Sequence, residues 1–564
     1  MKRSLVVLTL ALGVVWCEAQ ADYYGIRVNL GGTQGLEPAP AVPKGMPLPP
    51  QPVTNPNASG PKGIVNLPPL YAAAVVEIKR PPQRGTGNVY FIEHKWGRTI
   101  LYQDQKFVLK DFLRLPTAYQ EMEEKQKELL ADKSAEKRLE VAEWALGRGL
   151  LNEFVTHMDE LVKTPSDNAR IKAVAQSYAQ VKEALQAAKP KDDALISHWK
   201  DRLNLRDPFL TNHYTVLYDS SVTNPPEVAR YAARLERCLQ GFYYWFALRG
   251  VVLPVPSKRL VAILVDKPDD FRKWHAVFDS VPMVGDGFFT RRDNLLIFST
   301  VRLDEVYQTL SRSNQQELWS QGWSFTDLLG GRSREGSPKS ATPDLIARAS
   351  SLALLQRAML EESERLTVSH EATRQLVAAA GLLPRGVAAP EWIQFGLASV
   401  FETPRTALWD GVGIPHWEYL LEYKLRKADE PADEPKVALQ RTITDYYFYQ
   451  AARSGTPEDV TRARTQAWAL AYFLAQRHLG ELLRYYQELA TLPRDLEMDD
   501  ETLLGCFARA FQLENPARPG TIDGDKLGRL AAEWHQYISN VAPPIPQPRL
   551  MEMRDFRRGV LPSK

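Results

Sequence analysis

The chain has 564 residues, 44% hydrophobic and 24% charged, an ordinary folding composition that is too long for a single average core. Lysine and arginine (70) nearly balance aspartate and glutamate (68), and the net charge of +2 argues against a nucleic-acid footprint or a polybasic membrane patch. Three cysteines exclude a disulfide scaffold and a four-cysteine metal site.

Met1-Lys2-Arg3, an apolar run from Leu5 to Val15, and Ala19-Gln20-Ala21 before Asp22 read together as a secretory signal peptide over 1–21. The mature protein is therefore expected to be exported, whether periplasmic, extracellular or envelope-associated. The run is short for a bilayer span and no later stretch reaches that length, so no transmembrane segment is expected. Bulky Trp16 stands where a lipoprotein signal wants a small residue, which argues against lipidation at Cys17. Cleavage leaves Cys238 and Cys506, which are either small buried apolar residues or a single bridge.

Residues 22–70 are expected to form a linker, because the dense prolines between Glu37 and Pro69 leave no apolar period. Asn57-Ala58-Ser59 fits a glycosylation acceptor, a triplet too common by chance to carry weight. Over 71–115, β-branched and aromatic runs such as Val89-Tyr90-Phe91-Ile92 and Thr99-Ile100-Leu101-Tyr102 flank a turn at Lys95-Trp96-Gly97-Arg98, which predicts a small β-hairpin unit. Residues 116–190 turn to Glu, Lys, Ala and Leu. Three helices are expected between Lys133 and Ala188, parted near Gly149 and at Thr164-Pro165-Ser166-Asp167. Ala142, Trp144, Ala145, Gly149 and Leu150 resemble positions of tetratricopeptide hairpins, in too few repeats for a solenoid. Structural support or docking is their expected role.

Lys189-Pro190-Lys191-Asp192-Asp193 punctuates the chain before a second folded region over 207–492. Tyr214 to Tyr218 and Leu260 to Val265 read as strands around a helix that places Val228, Tyr231, Leu235, Cys238 and Phe242 on one face and ends at Gly250. Phe288-Phe289 and Leu295 to Phe298 form a hairpin about Asp293-Asn294. After a Gly- and Ser-rich loop from Gly330 to Ala341, Thr342-Pro343 opens a mainly helical part. A solvated acidic loop is expected at Ala428 to Pro435, and 493–564 is expected to be a helical segment trailing into a tail after Pro543.

Two segments of the helical part bear on chemistry. Ser369-His370-Glu371-Ala372-Thr373-Arg374 lies in a helical stretch that stops at Gly381, and Pro390-Glu391-Trp392-Ile393-Gln394-Phe395-Gly396-Leu397-Ala398 opens the next helix. Together they resemble the gluzincin group of zinc metallopeptidases, whose His-Glu-x-x-His helix is followed by a helix bearing a Trp-x-x-Glu-Gly-x-Ala stretch. More narrowly, the chain is similar to an uncharacterised family of exported bacterial proteins with a gluzincin-like domain. The resemblance implies an α+β fold: a thermolysin/gluzincin-like domain with a small mixed sheet followed by a mainly helical part, here preceded by the β-hairpin unit and the helical hairpins.

The chemistry of the gluzincin pattern is strict. Histidines four apart on one helical face present two imidazoles to a tetrahedral zinc, the intervening glutamate activates the bound water, and a glutamate from the next helix completes the ligand set. By this resemblance His370 stands at the first ligand position and Glu371 at the general base. Arg374 replaces the second histidine, and a permanently charged guanidinium repels a dication. Phe395 replaces the third ligand. Arg464, in the helix around Trp468, stands where related peptidases carry a tyrosine. No cofactor is expected, unless zinc recruits ligands from elsewhere, for which Glu391, Glu402 and His416 are the candidates.

A metal-free arrangement is also coherent: Arg374 substitutes for the metal's charge by pairing with Glu371 at i, i+3, and Phe395 fills the vacated volume. The expected function is that of an exported, non-catalytic pseudopeptidase binding protein or peptide, the Phe288 to Phe298 hairpin offering an edge for an extended segment. An active zinc peptidase with displaced ligands and Glu371 as base is the competing reading, and a structural envelope component a third.

Overall fold

Period-two alternation builds an N-terminal sheet that is buried on both faces. In the computed structural model, the described residues are 22–30, 71–114, 117–203, 205, 207–219, 225–278, 285–320, 343–405, 407–429 and 434–558. The expected signal peptide, most of the expected linker, the Gly330 to Ala341 loop and part of the acidic loop lie outside them. Strands β1 (Asp22–Asn29), β2 (Tyr71–Arg84), β3 (Val89–His94), β4 (Gly97–Tyr102) and β5 (Phe107–Arg114) form an antiparallel sheet of order β4-β3-β2-β1-β5.

This corrects two expectations. The segment following Ala21 opens as a strand instead of a linker, and the hairpin unit is part of a five-stranded sheet. Asp22-Tyr23-Tyr24-Gly25-Ile26-Arg27-Val28-Asn29 has the alternation of a strand, and it pairs with β2 in the register Ile26 to Ala74. Tyr24, Ile26, Val28, Ala72, Ala74 and Val76 face one way, into a core shared with Leu352, Leu355 and Met359. Tyr23 and Ala73 face the other way, toward Trp417, Leu550, Met553 and Phe556.

Phe556 and its neighbours overturn the expected tail. Gln547–Arg558 is a helix, because Leu550, Met553 and Phe556 recur every three residues and all three are buried. It crosses the N-terminal sheet, where Arg27 Nη1 donates to the Phe556 carbonyl at 3.1 Å.

The three expected helices are Ala135–Gly147, Leu151–Lys163 and Ala169–Gln186. Gly149 adopts φ +73°, and an added Cβ would sit 2.3 Å from the Asp410 carbonyl oxygen, so this turn is pressed directly against the main body.

The second sheet, β6-β7-β8-β10-β9, is mixed: β6 (Asp207–Leu210), β7 (Tyr214–Tyr218), β8 (Leu260–Val265), β9 (Gly287–Thr290) and β10 (Leu295–Ser299). Its parallel centre, β7-β8-β10, is continuously apolar, as strands covered on both faces must be. Val261, Ile263, Leu295 and Ile297 pack against Trp199 and Phe271. Ala262, Leu264, Leu296 and Phe298 pack into the main helical core.

A 37-residue helix, Pro343–Ala379, joins the two sheets. Leu352 to Met359 lie in the core of the first sheet, and Leu366 to Ala380 in the core of the second. The fold is α+β, with the mixed sheet preceding a mainly helical part as expected. No helix among the described residues is long and apolar enough to cross a membrane. Cys238 and Cys506 are both free thiols.

Candidate functional site

The helix Pro343–Ala379, called the motif helix below, carries His370, Glu371 and Arg374 into the interior; all three are buried. Its position is fixed from the sheet side. Gln375 Nε2 donates to the carbonyls of Val261 (3.1 Å) and Asn294 (2.8 Å), tying it to β8 and to the hairpin turn, where Asn294 takes φ +51°. Edge strand β9 runs alongside: a Cβ on Gly287 would lie 2.6 Å from Thr367 Cγ2.

Glu391–Phe401, the partner helix, presents Phe395 to His370. Its first residue is preceded by Pro390, which offers no side-chain cap, and Asp445 supplies one from a distance by accepting the backbone N–H groups of Glu391 and Trp392. Thr403 N–H donates to Ser369 Oγ at 2.8 Å, which fixes the chain leaving this helix against the motif helix and sets Glu402 beside His370.

Around His370 the geometry is specific. Its Nδ1–H donates to Glu402 Oε2 at 2.6 Å, and His416 Nε2–H donates to Glu402 Oε1 at 3.0 Å. The His416 proton lies on Nε2 because Nδ1 accepts the Tyr419 N–H at 3.3 Å. Burial alone would raise the Glu402 pKa, but the two imidazole donors outweigh it and hold the carboxyl at about 2. Burial lowers the His370 pKa, aided by Arg374 and Arg464 and opposed by Glu402, so the imidazole is neutral. His370 Nε2 is left buried with no hydrogen-bond partner among the described residues. This is the tautomer a metal-binding histidine adopts, with a carboxylate holding the remote nitrogen.

Next to His370 lie an aromatic ring and, one turn further along the motif helix, an arginine. The Phe395 ring centroid lies 4.7 Å from that of His370 and 5.8 Å from Phe448. Arg374 Nη2 donates to Glu391 Oε2 at 3.1 Å. Burial would lower the Arg374 pKa, but Glu391 first and Glu371 second outweigh it and keep the guanidinium charged. Glu391 thus joins Glu371, the partner expected from sequence, in neutralising Arg374: Glu391 ion-pairs with it across the helix interface, and Glu371 acts on it electrostatically. One helical turn before Phe395, Glu391 stands opposite the arginine, whereas Glu371 shares a helix with it and must reach along the same surface. That turn spacing was the available signal.

From the helix Pro457–Arg477, the downstream helix, Arg464 lays its guanidinium over the Phe395 ring, 5.4 Å from its centroid. Tyr419 stacks on His416 with centroids 4.0 Å apart. The residues singled out in sequence, His370, Glu371, Arg374, Phe395, Arg464, Glu391, Glu402 and His416, thus converge on one region. Tyr419 and the capping Asp445 were not anticipated; neither belongs to a recognisable pattern in sequence.

A gluzincin zinc needs three donors around an open position. Here one imidazole nitrogen is available, the two residues that the resemblance assigns to the other ligand positions are an arginine and a phenylalanine, and both Glu402 oxygens already accept imidazole N–H donors. These residues do not fit a zinc ion as arranged. Among the described residues no group of three or more His, Cys, Asp or Glu side chains is placed to hold a metal.

The stretch 365–494, which contains all these residues, matches a family described only as a protein of unknown function, DUF1570. Neither a curated protein nor a solved structure matches the chain.

Proposed function

We propose that the chain is an exported, gluzincin-like protein that has given up zinc chemistry and binds protein or peptide in the remnant of the cleft. The observation that carries this reading is what surrounds His370: the Phe395 ring against its imidazole and the Arg374 to Glu391 ion pair beside it take the places of the second and third ligands. A zinc ion entering there would meet one neutral nitrogen and one fixed positive charge. Without zinc, Glu371 has no metal-bound water to activate. The order of a mixed sheet followed by helices, with the motif helix packed against strand β9, is consistent with the resemblance on which this reading rests.

One observation favours the rival reading of an active peptidase with displaced ligands. His370 keeps the tautomer of a metal ligand, and Glu402 and His416 are close by. Zinc on His370 Nε2 would leave the Nδ1–H bond to Glu402 intact, but recruiting His416 through Nε2 would break its hydrogen bond to Glu402. A purely structural envelope role would leave no groove in use, and the cavity beside Glu402 weighs against it.

The deciding experiment is zinc per chain by elemental analysis of protein purified without chelator, on the wild type, His370→Ala and His416→Ala. Zinc far below one per chain in all three supports the non-catalytic reading. Near-stoichiometric zinc in the wild type, lost in either variant, overturns it and puts the peptidase first.

A further inference from the structure

The hydrogen bond from His416 to Glu402 closes a loop in the chain: the two residues are 14 positions apart, and the segment between them leaves the partner helix and returns to the same carboxylate. Pro404 and Pro415 stand near its two ends and fix the backbone there.

This strap is gripped in its middle. On one side lies the turn between the helices Ala135–Gly147 and Leu151–Lys163. A Cβ on Gly411 would overlap the Gly147 carbonyl oxygen, just as one on Gly149 would overlap the Asp410 carbonyl oxygen, so backbone meets backbone here. Between these two glycines of the turn, Arg148 lays its guanidinium 4.0 Å from the centroid of Trp409, whose ring lies 5.9 Å from that of Trp417, the residue after His416. The same guanidinium pairs with Glu121 at 2.9 Å, which orients it from the hairpin side. On the other side is the helix Pro225–Ala247, where Gly241 faces Val412 and Trp245 faces Gly413. Gln476 Nε2 donates to the Gly413 carbonyl at 3.2 Å.

Close-packed contacts of this kind transmit a displacement, because there is no free volume to absorb it. Both ends of the strap converge on Glu402, so a shift of its middle is felt at the His416 to Glu402 bond. Lengthening that bond by roughly 0.6 Å takes it out of hydrogen-bonding range. We infer that the first helical hairpin is a control element of the cleft: through Arg148 and the turn around it the hairpin sets the strap, the strap sets the His416 clamp on Glu402, and a displacement of the hairpin is passed to the clamp. Arg148 is a positioning residue in this arrangement. Peptide and zinc would meet the same clamp, so the control stands whichever of the two the cleft takes.

The test is the rate at which diethyl pyrocarbonate acylates individual histidines of the full mature chain, read by mass spectrometry of the digested protein. His416 is 2% exposed and both its ring nitrogens are engaged, so it reacts only when the clamp opens. Arg148→Ala and Gly149→Ala are expected to speed His416 at least about tenfold, the mark of a local opening made easier. His213, 3% exposed and bonded to Glu236, should keep its wild-type rate. Leu139→Ala empties a buried position of the same hairpin and leaves Arg148 and Gly149 in place; it should lower the melting temperature without speeding His416. Coupling is reciprocal, so Glu402→Gln should in turn raise amide hydrogen exchange across the turn from Gly147 to Leu150. If Gly149→Ala does not fold, Arg148→Ala carries the test. A wild-type His416 rate in Arg148→Ala, His416 and His213 speeding together, Leu139→Ala speeding His416 as much as Arg148→Ala, or unchanged exchange at the turn in Glu402→Gln would each overturn the assignment.

Discussion

Arg374 on the motif helix lies 3.1 Å from Glu391 on the partner helix, an ion pair withdrawn from water. Removing one member leaves the other's charge buried, which costs on the order of 3–5 kcal/mol, while replacing both by apolar groups of similar volume is close to neutral. Glu391→Gln should therefore lower stability by roughly 3 kcal/mol in urea denaturation, and Arg374→Met with Glu391→Leu should recover most of the loss. A double variant as unstable as the single one would mean that the pair is needed for more than neutralising itself.

If the cleft is a disarmed zinc site, it can be rearmed. Arg374→His together with Phe395→Glu recreates the two missing donors, one helical turn from His370 and on the facing helix, with His370 already in the ligating tautomer. The expected outcome is close to one zinc per chain in the double variant and little in either single variant, measured after dialysis against excess zinc and then buffer. A folded double variant that takes up no zinc would count against the gluzincin-like arrangement itself.

Much of this was legible in sequence where local rules decide. Gly149 and the Thr164 to Asp167 break mark the ends of the first helices, Gly381 with φ +73° ends the motif helix, and Asn294 turns the hairpin. The meeting of His370 with Phe395 followed from the two-helix pattern. What sequence missed depends on long-range pairing. Nothing local in Asp22 to Asn29 shows that β2 and β5 will flank it, and proline density further on obscured its alternation. The stripe Leu550, Met553, Phe556 was visible in retrospect, but its length is that of a helix with nothing nearby to pack on; the sheet it covers lies more than four hundred residues earlier. Glu391 was missed as the ion-pair partner of Arg374 because it faces the arginine across a helix interface instead of along the same helix surface.

Acid should destabilise the protein in a window set by Glu402. Its folded pKa of about 2 lies below the ordinary 4.5, so it contributes stability above pH 4.5 that is lost as pH falls through 4.5 toward 2. The full contribution is of the order of 3 kcal/mol. His370, lowered from 6.5, adds in the same direction: the unfolded chain takes up its proton first as pH drops below 6.5, and stability begins to fall there. In urea denaturation across pH 3 to 8, Glu402→Gln should be less stable than the wild type at neutral pH and the difference should shrink below pH 4.5. A constant difference across that range would mean that Glu402 is not held ionised by its two histidines.

The C-terminal helix should be an integral part of the core. Phe556 is 3% exposed against the sheet, with the guanidinium of Arg27 on β1 4.9 Å from its ring centroid. Phe556→Ala is expected to cost about 3–5 kcal/mol, the usual range for a buried phenylalanine, and to make the N-terminal sheet the first region cut in limited proteolysis. Wild-type proteolytic resistance in this variant would show that the helix only rests on the surface.

Gly396 tests the packing that brings Arg464 over Phe395. A Cβ there would lie 2.5 Å from the Ala467 carbonyl oxygen and 2.8 Å from Ala471 Cβ, both on the downstream helix. The nearest obstacle is helix backbone, which cannot swing aside as a long side chain would. In an unpacked helix, Gly→Ala would add about 1 kcal/mol of helix stability. Forcing two closely packed helices apart costs typically 1–3 kcal/mol. The second effect should win, so Gly396→Ala is expected to lose about 1 kcal/mol or more, and Gly396→Val more again because its branches meet the same backbone. The strain also reaches the cleft, since separating these helices lifts Arg464 from the Phe395 ring. If Gly396→Ala proved as stable as the wild type, the two helices would have to pack less closely than their contact here requires, and the placement of Arg464 would fall with it.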